Sequence, residues 1–268
     1  MLIPRILTAL VLLPLMLAAL FVFPPAAWAA FSALVVGLAL WEFSRMVAMP
    51  RGVQTLYLVG SALAAAACWF TGWRPGPWLH GVALLVWLVL APLWLARRWT
   101  LKDGWAARAL GWALMWPAWL ALLDWRPTPE PAHAYALLAV MGLVWVADIA
   151  AYFSGKAFGR HKLAPAISPG KSWEGVAGAA VAVAVYAYFV SGQGWLGQPL
   201  PLFALLPLAL ALTAVSVVGD LLESWFKRAA GVKDSSALLP GHGGVYDRID
   251  SLIAVLAVGN ALRALLGG

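Results

Sequence analysis

Residues 200–224 read LPLFALLPLALALTAVSVVGDLLES, and they contain no charged side chain before Asp220. A run of about 20 mainly apolar residues is long enough to cross the hydrocarbon core of a bilayer as a helix. A helix is required because lipid offers no partner to the backbone N–H and C=O groups. The stretch therefore predicts a transmembrane helix that carries two carboxylates, Asp220 and Glu223, near its C-terminal end.

The same pattern recurs along the rest of the chain. Of the 268 residues, 63% are hydrophobic and 11% are charged, whereas a soluble domain is about 45–50% apolar and about a quarter charged. Proline, glycine and charged residues divide the chain into apolar segments. The sequence predicts an all-α, polytopic integral membrane protein with about nine transmembrane helices. We place these helices near residues 6–23, 26–44, 55–72, 78–96, 105–123, 134–154, 174–191, 200–224 and 249–266.

The first segment also shares features with a secretory signal peptide. Arg5 precedes the apolar run, and Ala27-Trp28-Ala29 matches the small-x-small cleavage pattern. However, the run from Ile6 to Phe23 is longer than a typical signal core of about 7–15 residues. We therefore expect this segment to be retained as the first transmembrane helix.

The distribution of basic residues predicts an orientation. If the N-terminus is cytoplasmic and the spans alternate, only Arg74, Arg126 and Arg263 of the 18 Lys and Arg residues fall toward the outer side. Lys and Arg concentrate in cytoplasmic loops, so the sequence favours this orientation over its reverse. The same topology accounts for the net charge of +7 without a nucleic-acid partner.

Two cytoplasmic loops contain groups that topology does not explain. They are residues 147–175, ADIAAYFSGKAFGRHKLAPAISPGKSWEG, and residues 219–250, GDLLESWFKRAAGVKDSSALLPGHGGVYDRID. The turn Pro240–Gly244 would leave backbone N–H groups free to approach an anion closely, because its three glycines have no side chain. Cations beside bare backbone indicate a polyphosphate ligand. The basic residues of the two loops are Lys156, Arg160, Lys162, Lys171, Lys227, Arg228, Lys233 and Arg248.

The acidic residues of these loops indicate a cation site. A carboxylate in an apolar helix costs about 2.5–3.5 kcal/mol on insertion scales, which makes Asp148 a functional candidate. Asp220 and Glu223 are three residues apart and share one helical face. Asp247 and Asp250 repeat that spacing at the start of the ninth span. Facing carboxylate pairs would suit a hard cation such as Mg²⁺; the alternative is that each acid pairs with a nearby Lys or Arg.

Both loops resemble those of a known enzyme family. The run Ser224–Asp250 resembles the signature of the phosphatidate cytidylyltransferases, also called CDP-diacylglycerol synthases, and Asp148–Gly175 resembles the family's second motif. The resemblance implies a nucleotidyltransferase of phospholipid biosynthesis, in which CTP and phosphatidic acid give CDP-diacylglycerol and pyrophosphate with Mg²⁺ required. It also implies an enzyme of the cell inner membrane with its active site facing the cytoplasm, and a homodimer.

The resemblance also assigns roles to individual residues. It implies that Asp220 and Asp247 are metal ligands and that Asp250, Asp148 and Glu223 lie close to them. Whether a monovalent cation shares that site is left open. The groups that would contact phosphates are Lys171, Lys233, His242 and Arg248. The remaining candidates for the substrate site are Lys156, Arg160, Lys162, Ser168, Ser224, Lys227, Arg228, Asp234, Gly243 and Gly244.

The chain divides by function into two parts. Residues 1–132 contain the first five spans and no motif, so we expect a scaffold and a dimer contact there. Residues 133–268 contain the last four spans and both motif loops, so we expect the catalytic part there. Two other functions are alternatives. A CTP-dependent polyprenol or lipid kinase would release CDP, and an ion-coupled transporter would place its acids along an ion path.

Overall fold

The computed structural model describes residues 3–196 and 200–265, with side chains from residue 7 onward except that of residue 9. The side chain of Arg5 and the last residue of the predicted 249–266 span lie outside the described residues. The described part is a bundle of long helices with one short β-hairpin. The helices are α1 (Ile3–Phe21), α2 (Pro25–Met46), α3 (Arg51–Thr71), α4 (Trp78–Arg97), α5 (Trp105–Trp125), α6 (Pro131–Phe158), α7 (Trp173–Gln193), α8 (Leu202–Ala229) and α9 (Tyr246–Leu265).

The predicted all-α membrane fold is confirmed, and each helix overlaps one predicted span. Seven helices of the described part, α2 to α8, are long and apolar enough to cross a membrane. In α1 the apolar stretch Leu10–Phe21 is shorter, and α9 begins with the charged turn Tyr246–Asp250. The predicted count of nine spans is therefore not confirmed for the first and last helices.

The central helix of the bundle is α9, which contacts α2, α4, α5, α6 and α8. Every residue from 251 to 261 is buried. Because protein rather than lipid surrounds it, α9 tolerates charge at its two ends. Its N-terminal turn brings Asp247 and Asp250 to the place where the motif loops meet.

The hairpin lies in the loop between α6 and α7, and the sequence analysis did not predict it. Strand β1 (Lys162–Ala164) pairs antiparallel with β2 (Ser168–Ser172). The next helix begins at once, because the Gly175 amide donates a hydrogen bond of 3.2 Å to Ser172 Oγ and thereby caps α7. The hairpin fixes the direction in which Lys171 leaves the backbone.

Contacts between loops divide the bundle into two ends. At the first, the Asp103 amide donates to the Val47 carbonyl at 2.8 Å, and Trp225 Nε1 donates to the Trp99 carbonyl at 2.7 Å. Both motif loops lie at this end, which we call the motif end. The loops predicted to be cytoplasmic therefore do lie together. That this end faces the cytoplasm stays a prediction.

The opposite end joins the remaining turns. Arg126 donates hydrogen bonds of 2.6 Å to the Leu20 and Phe23 carbonyls between α1 and α2. Arg263, in the last turn of α9, donates one of 3.0 Å to the Asp124 carbonyl. The positions of these arginines agree with the predicted alternation of the helices.

Candidate active site

The hairpin residue Lys171 reaches α8. Its ammonium nitrogen lies 2.5 Å from Asp220 Oδ2, and both side chains are partly exposed. The other oxygen, Asp220 Oδ1, accepts a hydrogen bond of 3.3 Å from Ser224 one turn later. The two motif loops, 49 positions apart in sequence at these residues, thus meet in an ion pair.

Two further carboxylates, from two other helices, lie near this ion pair. Asp148 on α6 lies within electrostatic range of Asp220, Lys171 and Arg248, and Asp250 on α9 lies within range of Asp220, Lys171 and Asp148. The helices can approach closely because residue 219 of α8 is a glycine. A Cβ there would lie 2.9 Å from the carbonyl oxygen of Asp250. The predicted convergence of acidic residues is present for this group.

Asp247 has a different environment, because protein donors surround both of its oxygens. Lys227 Nζ donates to Oδ1 at 2.5 Å. The amides of Ser235 and Gly244 and the Ser235 hydroxyl each lie 2.8 Å from Oδ2. With 3% of its side chain exposed, Asp247 therefore joins the loop after α8 to the first turn of α9.

Lys227 also neutralises a second buried acid. Its ammonium lies 2.7 Å from Oε2 of Glu223, whose side chain is fully buried. The sequence analysis grouped Glu223 with Asp220 on one helical face. In the structure Lys227 instead links Glu223 to Asp247 across two helices. Glu223 also lies within electrostatic range of Asp250. The five predicted acids form one continuous band rather than two facing pairs.

A sixth acid, Glu42 on α2, is the functional residue that the sequence analysis missed. It is completely buried. Oε1 accepts hydrogen bonds from Ser236 Oγ (2.6 Å) and the Val245 amide (2.9 Å). Oε2 accepts them from Ser235 Oγ (3.0 Å) and the Tyr246 amide (2.6 Å). Glu42 thus caps the N-terminus of α9 and holds the preceding loop. Its position inside an apolar span is the sequence signal that could have identified it.

The glycine-rich turn, residues 240–244, packs against Asp247 and Glu42. Gly243 has φ +80°, a conformation that other residues adopt only with strain, and a Cβ there would lie 2.8 Å from Asp247 Oδ2. A Cβ at Gly244 would collide with the Ser235 hydroxyl and the Glu42 carboxylate. Packing against carboxylates therefore explains both glycines. Their amides do not both stay free for an anion, since that of Gly244 is bonded to Asp247.

His242 and Arg248 form the outer edge of the turn. Arg248 Nε donates a hydrogen bond of 2.9 Å to the carbonyl oxygen of His242. The guanidinium group is exposed and lies within electrostatic range of Asp148. The Nδ1 atom of His242 is buried, and no hydrogen-bond partner lies among the described residues. Arg248 is therefore placed to bind an anion beside the carboxylates.

The other predicted binding residues form the rim or support it. Arg228 Nε donates to the Ile167 carbonyl at 3.3 Å and so fastens the hairpin to the end of α8. Lys156 lies 5.9 Å from the ring of Tyr152, and Ser168 is half-buried at the start of β2. The exposed residues of the rim are Arg160, Lys162, Lys233 and Asp234.

The charges fit a divalent cation, although within residues 3–196 and 200–265 no three acidic, His or Cys side chains already stand as ligands of one ion. Asp220 and Asp247 each have a lysine ammonium 2.5 Å from a carboxylate oxygen. Carboxylate oxygens are the ligands that a hard cation prefers, and a cation bound here would replace these ammonium groups. Asp148 and Asp250 add carboxyl oxygens nearby.

Comparison with known proteins agrees with the motifs. The model of the Cytidylyltransferase family matches residues 3–266. A phosphatidate cytidylyltransferase of Pseudomonas aeruginosa is 44% identical over 266 residues, which cover 96% of this chain and 95% of that protein. One from Haemophilus influenzae is 37% identical over 94% of this chain and 95% of its own. One from Staphylococcus aureus is 34% identical over 70% of this chain and 72% of its own. The family match spans helices α1 to α5 as well as the motif loops.

Proposed function

Because the chain belongs to the cytidylyltransferase family, we propose that it transfers CMP from CTP to phosphatidic acid, giving CDP-diacylglycerol and pyrophosphate. The observation that carries the assignment to this site is the meeting of Lys171 with Asp220, beside Asp148 and Asp250. The Lys171 ammonium group from one motif loop and carboxylates from three helices suit a reaction between two phosphates. The site lies at the end of an apolar bundle, where a lipid head group and a soluble nucleotide can meet.

The reaction brings one anion against another. A phosphate oxygen of phosphatidic acid forms a bond to the α-phosphorus of CTP, and the bond from that phosphorus to the β-phosphate oxygen breaks. Lys171 and Arg248 reduce the repulsion between the two anions, and exposed Lys233 stands on the rim for the leaving pyrophosphate. The attacking phosphate is ionised near neutral pH, so no side chain needs to remove a proton.

The carboxylate band would hold Mg²⁺. Asp220 and Asp247 are the ligands we propose, with the carboxyl groups of Asp250, Asp148 and Glu223 beside them. Bound Mg²⁺ would stabilise negative charge on the phosphates. The ammonium groups of Lys171 and Lys227 balance the acids in the present arrangement. A monovalent cation at the same site stays a prediction.

The setting of the enzyme is also a proposal. We place it in the cell inner membrane with the motif end and the N-terminus in the cytoplasm, because the basic residues gather at that end and CTP is a soluble nucleotide. The proposed homodimer rests on the family resemblance. The division into a scaffold and a catalytic part stays a prediction, although Glu42 of the first part binds the loop of the second.

The test uses purified protein in detergent with labelled CTP, phosphatidic acid and Mg²⁺. We expect label to enter the lipid extract with equimolar pyrophosphate. We expect Asp220→Asn and Lys171→Met to lower this rate by at least about 100-fold, as removal of one transition-state contact commonly does. Arg51→Gln, which removes an exposed charge at the same end, should leave the rate unchanged. Release of CDP with no cytidine in the lipid would refute the proposal in favour of a lipid kinase.

A further inference from the structure

The three arginines that fall on the outer side of the predicted topology do not lie apart from one another. Arg74, Arg126 and Arg263, from three different parts of the chain, all line one cavity of about 480 Å³ at the opposite end of the bundle. Positive charge is sparse on translocated loops. Its concentration in one cavity therefore requires an explanation other than topology.

Arg126 is the most deeply placed of the three. It is 1% exposed, and its Nε and Nη2 atoms donate to the carbonyls of Leu20 and Phe23. Its Nη1 atom is also buried, and no hydrogen-bond partner lies among the described residues. An arginine has five N–H donors, and a buried donor left without an acceptor is costly. The hydrogen bonds to the end of α1 thus account for the Nε and Nη2 donors of Arg126. The buried Nη1 donor is left for a ligand.

Among the described residues, Asp124 is the one acid in the lining, and its contacts leave the cavity positive. Arg74 Nε lies 3.9 Å from Asp124 Oδ1, and Asn260 donates to Oδ2 at 2.8 Å. Arg263 donates to the backbone carbonyl of Asp124 rather than to its carboxylate. Glu130, the other acid at this end, is exposed and does not line the cavity. Three guanidinium groups therefore face one carboxylate.

The walls of the cavity suit the edge of a bilayer. Trp28 and Trp69 line it, and the Trp28 ring lies 5.0 Å from the Arg126 guanidinium carbon. Tryptophan concentrates at the level of lipid head groups, and arginine is the preferred partner of phosphate. We propose that this cavity binds the phosphate group of an anionic phospholipid from the leaflet at the opposite end. The site is separate from the active site.

Binding would join three parts of the fold: the α1–α2 turn through Arg126, the segment after α3 through Arg74, and the C-terminal turn of α9 through Arg263. The ligand should therefore stabilise the folded protein by RT ln(1 + [L]/Kd), where [L] is the free lipid concentration. Thermal unfolding, followed by intrinsic tryptophan fluorescence, measures this effect. Native mass spectrometry counts the lipids that stay bound.

The experiment titrates the detergent-purified full chain with dioleoylphosphatidylglycerol in mixed micelles and, separately, with inorganic phosphate. We expect the melting temperature to rise with lipid concentration, steeply near Kd and then logarithmically. Arg74→Gln and Arg263→Gln should each weaken the apparent affinity by at least about tenfold, because each removes a charge-assisted contact. Arg51→Gln is the matched control, since it removes an exposed charge at the motif end.

The two titrations distinguish the source of the phosphate. A shift with the lipid alone identifies a head group, whereas an equal arginine-dependent shift with inorganic phosphate identifies a soluble anion at the same site. An absence of stabilisation in the wild-type protein would overturn the proposal. So would equal responses of the wild-type protein and the two variants. Neither result depends on the transferase assay, so the two proposals fail independently.

Discussion

Replacing Glu42 with alanine should impair the active site, although Glu42 lies on α2 in the part of the chain that contains no motif. The carboxylate accepts four hydrogen bonds, two from serine hydroxyls and two from the Val245 and Tyr246 amides. The hydroxyls can turn to other acceptors, and Ser235 Oγ already lies 2.8 Å from Asp247. The two amides at the start of α9 cannot turn, and both residues are buried.

The size of the effect follows from these two amides. A buried donor without an acceptor costs about 1–3 kcal/mol, so Glu42→Ala should destabilise the start of α9 by about 2–6 kcal/mol. Glu42→Gln should lie between alanine and wild type. Its carbonyl oxygen keeps one pair of donors, but its NH₂ group faces the other pair. Because the interior of α9 stays buried, the loss should concentrate in the 233–246 segment.

Two assays separate a local effect from general unfolding. Hydrogen exchange should accelerate at the amides of Ser235, Gly244 and Val245 before it changes elsewhere. In the transferase assay we expect kcat to fall and the KM for CTP to rise. Glu130→Gln, an exposed acid at the opposite end, is the control and should match wild type. Normal exchange at these amides together with a wild-type KM in Glu42→Ala would refute the inferred anchoring role.

Two further substitutions test the same network. Gly244→Ala should reduce both activity and melting temperature, because the added methyl group collides with Ser235 and Glu42. In the control Gly60→Ala the methyl group meets no atom within 4 Å, so activity and melting temperature should be retained. Equal melting temperatures of the two variants would contradict the inferred packing. Lys227→Met leaves Glu223 and Asp247 without their shared counter-charge, and breaking such a buried pair costs about 3–5 kcal/mol. Thermal unfolding should show that loss, exposed Lys102→Met should not, and an unchanged melting temperature in Lys227→Met would show that the acids have another partner.

The sequence predicted the helices well because one strong signal, apolar length, determines where a chain can cross a membrane. It also predicted that the two motif loops meet. The spacing of Asp220 and Glu223 was a weaker guide, because it fixes which side chains share a face and not what lies opposite. Lys227 pairs Glu223 with Asp247 instead. Such partners depend on packing between helices that a single sequence does not specify.

The hairpin and Glu42 show two different reasons for a missed feature. In Ser168–Ser172 the residues Pro169 and Gly170 are typical of a turn, and the strand exists only through its pairing with Lys162–Ala164. Glu42, in contrast, was visible. The rule that identified Asp148, a carboxylate within an apolar span, applies equally to Glu42. The first five spans contain no motif, so no second signal in the sequence supports Glu42.

The way each acid is neutralised separates the residues that organise the site from those placed to act in it. Glu42 is surrounded by protein donors, so its charge is already stabilised by the fold. Asp247 differs because its Oδ1 is bonded to the Lys227 ammonium, which a bound cation would replace. Asp148 and Asp250 form no ion pair among the described residues, although both lie within electrostatic range of Asp220 and Lys171. Carboxyl groups that the protein leaves without an ion-pair partner beside a lysine are available to a cation and its phosphates. The same reasoning, with the sign reversed, applies to the arginines at the opposite end, where the fold leaves positive charge uncompensated.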